Sequence, residues 1–193
     1  MKKRLDKGLK ALYFILLVCV LILVYFMIIG FIFFRKVNTP LYFYSNTDYW
    51  IAYNDLYNEV NNDIQPLSKP EYKEIIEEEN DLSCYFYGEK ILRDDYNGLT
   101  FGTIRLILVD ERLQGFEYAV VFTHETVHLT QMIGNERYVC FETFKYLYEN
   151  ENEALHKAGV WYGLKQLEFK YSQEYQCEDM IIKYMLDKKY GRN

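Results

Sequence analysis

The pentapeptide His124-Glu125-Thr126-Val127-His128 constrains the fold more than any other part of this chain, because its residues act together only on an α-helix. Two imidazoles four positions apart then project from one face, one turn apart, close enough to bind a single tetrahedral ion. Glu125, one step round the helix, can face a water on that ion and take its proton as the water attacks a carbonyl. The HExxH pattern therefore brings two metal ligands and a base together, and zinc is the ion it predicts. The flanks agree with a helix from Gln114 to Ile133. No proline interrupts them, apolar residues recur at Phe116, Val120, Val121, Phe122, Val127 and Met132, and Gly134-Asn135 offers a stop. Gln131, three residues after His128, is placed either to hydrogen-bond near the site or to cap the helix.

A metal site needs at least a third protein ligand, and one further histidine, His156, is present. The best carboxylate candidates lie in the segment Glu149-Asn150-Glu151-Asn152-Glu153-Ala154-Leu155-His156, which follows the motif and reads as the start of another helix. With HExxHxxQ at His124 to Gln131 and E-x-E-A at Glu151 to Ala154, the stretch from Leu99 to Trp161 resembles the gluzincin class of zinc metallopeptidases. In that class a glutamate on a second helix completes the zinc site. Helix geometry puts Glu151, Ala154, Leu155 and Ala158 on one stripe whose small residues would let two helices approach closely, which favours Glu151. Glu153 is the alternative, because some members of the class carry the ligand directly before alanine. The class also often has an aspartate four residues after the ligand glutamate, and here that position holds Leu155 or Lys157. Glu142, Gln131 or a backbone carbonyl would then have to orient the imidazoles. Tyr162, Tyr171 and Tyr175 lie where the class often places an oxyanion stabiliser, and among 20 tyrosines the sequence selects none of them.

The remainder reads as a small sheet followed by helices. Leu99 to Asp110 is rich in β-branched and apolar residues and predicts one strand, either an ordinary core strand or an edge able to accept an extended peptide. Before it, helices are expected over Thr47 to Asn61, with a tyrosine stripe, and over Pro70 to Asn80, whose Glu77-Glu78-Glu79 run would be a solvated face. Leu82 to Tyr87 and Lys90 to Arg93 read as strands, with a turn at Asp94 to Gly98. Helices are expected again over Arg137 to Tyr148, Glu151 to Leu164 and Gln166 to Lys188.

Near the N-terminus, Ala11 to Phe34 is a run of 24 residues without a charge, long enough at helical rise to cross a bilayer. No small-x-small cleavage pattern follows it before Arg35-Lys36, so it reads as an uncleaved signal anchor. Lys2, Lys3, Arg4, Lys7 and Lys10 precede the run, which predicts a cytoplasmic N-terminus and an extracytoplasmic catalytic domain. The expected organisation is a basic cytoplasmic N-terminus at 1–10, a transmembrane anchor at 11–34, a juxtamembrane segment at 35–46 and a single zincin-like domain at 47–193.

Of 22 basic and 28 acidic residues, seven and one lie in residues 1–36, which leaves 15 and 27 and a net charge of −12 for the rest. So acidic a portion argues against nucleic acid as a partner, since phosphate binding needs a basic face. Cys84, Cys140 and Cys177 allow at most one bridge in that portion; Cys140 with Cys177 can pair, or the thiols stay free.

The sequence therefore predicts an α+β chain: an N-terminal transmembrane helix, then a zincin-like domain with a short sheet, an HExxH active-site helix and a C-terminal helical bundle. The resemblance implies a zinc metallopeptidase with His124, His128 and Glu151 or Glu153 on Zn2+, Glu125 as general base, and a peptide or protein substrate. Two alternatives stand beside it: an inactive zincin-fold binding protein tethered to a membrane, and a zinc amidohydrolase acting on amides other than peptides.

Overall fold

The computed structural model describes residues 13–25, 41–60, 65–92, 97–131, 134–168 and 176–192. The chain divides into two units, Met1–Arg35 and Lys36–Asn193.

In the first unit, residues 13–25 form helix α1 with every side chain exposed. Among the described residues no helix is long and apolar enough to cross a membrane. The fold class expected from the sequence is corrected on this point: an N-terminal transmembrane helix is not supported, and the chain is mostly helical with one small sheet. Residues 11–12 and 26–34 of the expected span, its basic flank at 1–10, and Arg35 and Lys36 lie outside the described residues.

The second unit begins with α2 (Asn46–Glu59) and α3 (Lys69–Glu79), each opened by a reciprocal cap. Ser45 and Asp48 exchange hydrogen bonds at the first, and at the second the Ser68 N–H and hydroxyl both donate to Glu71 Oε2, which fixes each helix start. Pro70 sits in the first turn of α3, where its missing N–H costs nothing. The glutamates at the end of α3 are not simply solvated: Tyr85 donates to Glu77, and Tyr146 and Asn150 donate to Glu79.

Three strands follow, β1 (Phe86–Lys90), β2 (Gly98–Phe101) and β3 (Leu106–Asp110), in spatial order β1-β3-β2. The single strand expected over Leu99 to Asp110 is in fact a hairpin. A 3-10 turn at Gly102–Ile104 and Arg105 in the left-handed region, φ 50°, reverse the chain, and β2 pairs antiparallel with β3 in the register Leu99↔Leu108. β1 pairs parallel with β3 on its other side, in place of the two strands expected around it. β2 is thus an edge of the sheet.

Helix α4 (Gly115–Gln131) carries HETVH and is followed by α5 (Glu136–Tyr148), α6 (Glu153–Glu168) and α7 (Glu178–Tyr190). Two apolar clusters organise this unit. One joins Tyr72 and Ile76 of α3, Ile107 and Val109 of β3, and Tyr118 and Phe122 of α4. The other joins Leu56 of α2, Phe144 of α5, Val160 of α6 and Ile181 of α7. Burying a side chain of this size contributes about 1.5–3 kcal/mol, so these contacts hold α4 against the sheet far more firmly than any surface ion pair.

α6 crosses the C-terminal end of α5 at very close range. A Cβ on Gly159 would lie 2.5 Å from the Tyr148 backbone nitrogen, and one on Gly163 would lie 2.7 Å from the Phe144 ring. The glycines of α6 therefore serve the contact with α5.

Candidate metal centre

α4 places His124 and His128 one turn apart with ring centroids separated by 4.8 Å and Nε2 atoms by 3.2 Å. The third group facing them is Glu136. Asn135 caps α5 by accepting a hydrogen bond from the Tyr138 N–H, so Glu136 is the first residue of the helix that follows the motif. Its Oε2 lies 3.0 Å from His124 Nε2 and 3.3 Å from His128 Nε2. Among the described residues this is the group of three side chains whose ligand atoms converge closely enough to hold a metal ion.

The triangle of donor atoms, with edges of 3.0, 3.2 and 3.3 Å, can be compared with what an ion requires. Zinc bonds to nitrogen and oxygen at about 2.0–2.1 Å, so the edges of a tetrahedral coordination shell are about 3.3–3.4 Å. The donor set fits to within a few tenths of an ångström. Two neutral imidazoles and one carboxylate also have the chemistry of zinc ligands.

Electrostatics at the three groups follow from their crowding. Burial, the largest influence on Glu136, pushes its carboxyl up, but hydrogen bonds and charge from His124 and His128 outweigh it and bring the value down to about 2. The same carboxylate stands in the first turn of α5, where the helix N-terminus favours a negative charge.

Glu125 is 7 % exposed and lies beneath β2. The Thr100 hydroxyl is 2.6 Å from its Oε2 and 2.9 Å from its carbonyl oxygen. A Cβ on Gly98 would stand 2.5 Å from Oε1, so the strand approaches the carboxylate at a distance that only glycine permits. Burial pushes the Glu125 carboxyl up; the neighbouring imidazoles and the Thr100 hydrogen bond act against this without cancelling it.

Neither downstream glutamate reaches the imidazole group. Glu151 is exposed in the turn between α5 and α6, in an open cleft with Glu79, Tyr146, Glu149 and Asn150. Glu153 is 80 % exposed and pairs with Lys157. The helical stripe that favoured Glu151 also fails locally, because α6 begins only at Glu153 and the residue precedes the helix. His156 belongs elsewhere: its Nδ1 is 2.6 Å from the Tyr148 carbonyl oxygen and its Nε2 is 3.2 Å from Glu59. Gln131 is exposed in the last turn of α4, Glu142 acts on Tyr138, and the Tyr162 hydroxyl donates to Cys140 Sγ. Tyr171 and Tyr175 lie outside the described residues.

Glu136 and Thr100 are the two functional candidates that the sequence did not single out. A signal for Glu136 existed: it is the first carboxylate after His128, and it follows an Asn that reads as a helix cap. For Thr100 there was none without the register of β2.

Comparison with known proteins returns no match to a family model, to a curated protein or to a solved structure. A His–His–Glu tripod can be carried by unrelated folds, so it defines a chemistry and not a family.

Proposed function

We propose that this chain is a zinc-dependent metallopeptidase in which His124, His128 and Glu136 hold the ion and Glu125 is the general base. The observation that carries the reading is the convergence of three ligand atoms beside a desolvated carboxylate. A bound zinc ion supplies Lewis acidity to a water and to the substrate carbonyl.

The protein's own groups provide the rest. Glu125, destabilised as an anion by burial, takes a proton from the attacking water and returns it to the departing amine nitrogen. Thr100 fixes the orientation of that carboxylate through Oε2. β2, the sheet edge against Glu125, can pair with an extended peptide by main-chain hydrogen bonds, and this favours a peptide over a small amide as substrate.

The test is turnover of a fluorogenic peptide library by the zinc-loaded full chain and by its Glu125→Gln variant. The reading expects cleavage by wild type and a loss of several orders of magnitude in the variant with zinc retained. Equal cleavage by both would remove Glu125 from the chemistry, and turnover of non-peptide amides alone would move the substrate class.

A further inference from the structure

Two of the three proposed ligands sit on α4, which the apolar cluster with α3 and β3 fixes in place. Glu136 does not share that support. It depends on the first turn of α5, whose local apolar hold on α4 is a small cluster of Val127, Val139 and Tyr138. Beyond that, Cys140 is buried in the second apolar cluster, and a set of links ties the turn to residues 176–179. Cys140, one turn after Glu136, is disulfide-bonded to Cys177 across a sequence separation of 37 residues. Arg137, next to Glu136, donates to both carboxylate oxygens of Asp179 and to the Gln176 carbonyl at 3.2 Å. Asp179 in turn accepts from the Tyr42 N–H at 2.7 Å.

We propose that the Cys140–Cys177 disulfide controls the metal affinity of the His124–His128–Glu136 centre, so that its oxidised form gives tight binding and its reduced form weak binding. This rests on the metal reading above and adds a regulation to it. Breaking the bridge removes the covalent link between the turn that presents Glu136 and the start of α7, and leaves the Arg137 contacts and the apolar packing around Cys140 and Cys177 to hold it. The step is a two-electron reduction. An external dithiol attacks one sulfur, the S–S bond breaks, Cys140 and Cys177 end as thiols with two protons, and the dithiol is oxidised to its own disulfide. Both cysteines are buried, Cys140 2 % exposed and Cys177 not at all, so the dithiol gains access only when the 176–179 segment opens. Coupling of this kind is reciprocal: if the bridge tightens metal binding, bound metal must protect the bridge by the same factor.

The experiment uses the full chain and zinc itself as the probe. Affinity is measured by competition with a chromophoric chelator for oxidised wild type and for Cys140→Ala/Cys177→Ala, which carries no thiol at these positions to bind zinc. Removing groups that orient metal ligands weakens metal affinity by about 10–100-fold, and a loss in that range is expected here. Equal affinity in a folded variant overturns the proposal. If the variant does not fold, the wild type decides the matter, through its reduction midpoint in a glutathione redox buffer, with and without saturating zinc. A midpoint shifted to more reducing buffer with zinc supports the coupling, and an unchanged midpoint overturns it. Wild type that binds no zinc in either state would instead overturn the metal reading, and this inference with it.

Discussion

Among the described residues, two clusters combine imidazole with carboxylate where helices meet, and one of them has the geometry of a metal site. Around His156 each polar atom has its own partner. Nδ1 meets the Tyr148 carbonyl, Nε2 meets Glu59 Oε2, and Glu59 Oε1 accepts from the Tyr148 hydroxyl at 2.7 Å. The contacts point outward from the ring and tie α2, α5 and α6 together. At His124 and His128 the contacts point inward. Two Nε2 atoms and Glu136 Oε2 lie within 3.3 Å of one another, and either protons on the imidazoles or a shared cation has to occupy the space they face. Convergence of lone pairs, and not the presence of histidine and glutamate, separates a ligand set from a structural clasp.

The contrast is most easily broken by removing one imidazole from each cluster. His124→Ala should lower zinc affinity by several orders of magnitude, because two donors cannot fill the shell. His156→Ala should leave zinc affinity unchanged and cost about 1–2 kcal/mol of stability in denaturant unfolding, through the lost hydrogen bonds. A zinc defect in the His156 variant would merge the two clusters into one site.

Next in size is the carboxylate. Glu136→Gln should weaken zinc by about 10–100-fold or more in a titration, since a neutral amide is a poor substitute for an anionic ligand. Glu59→Gln, Glu151→Ala and Glu153→Ala should each bind zinc like wild type. Loss of zinc in the Glu151 variant alone would restore the ligand expected from the sequence.

Gly98→Ala probes the roof over Glu125. The added methyl cannot coexist with Oε1 at 2.5 Å, so either β2 or the carboxylate must shift. The cost expected for such overpacking is about 1–3 kcal/mol, read by thermal unfolding, with zinc affinity retained because no ligand is touched.

The smallest effect is in the pH dependence of the metal-free protein. The folded state holds Glu136 down to about 2, below its ordinary carboxylate value of 4.5, so the folded state favours the ionised form. The stabilisation is complete above about pH 4.5 and is lost as the pH falls towards 2. Wild type should therefore exceed Glu136→Gln in stability near pH 6, and the gap should close on acidification. A gap that widens at low pH would contradict the hydrogen-bonding assigned to Glu136.

How much of this was legible in the sequence depended on the distance over which each feature is encoded. HETVH was readable because the two imidazoles and Glu125 are related by one helical turn, and the helix expected over Gln114 to Ile133 is observed over Gly115–Gln131. The hairpin was not readable from the alternation of Leu99 to Asp110. Period-2 patterning is the same on both sides of a reversal, and the left-handed Arg105 at its end carries no distinctive residue signal. Glu136 is hidden in the sequence because the spacing of the resembled class points to Glu151 and Glu153, beyond the nearer helix cap at Asn135. The stripe of Ala154, Leu155 and Ala158 predicts a close helix–helix approach, and Leu155 and Ala158 do lie in the apolar cluster with Tyr118 and Phe122 of α4, while the closest backbone approach of α6 runs through Gly159 against α5. For the expected membrane span, an uncharged run reports hydropathy alone, and among the described residues no helix is long and apolar enough to cross a bilayer.

His124, His128 and Glu136 are proposed here to form a zinc centre. Metal analysis of the purified full chain, wild type beside His128→Ala and Glu136→Gln, tests it most directly. The account predicts close to one zinc per wild-type chain, none in the His128 variant and a marked loss in the Glu136 variant. Folded wild-type protein that takes up no zinc, or zinc retained by both variants, would contradict it.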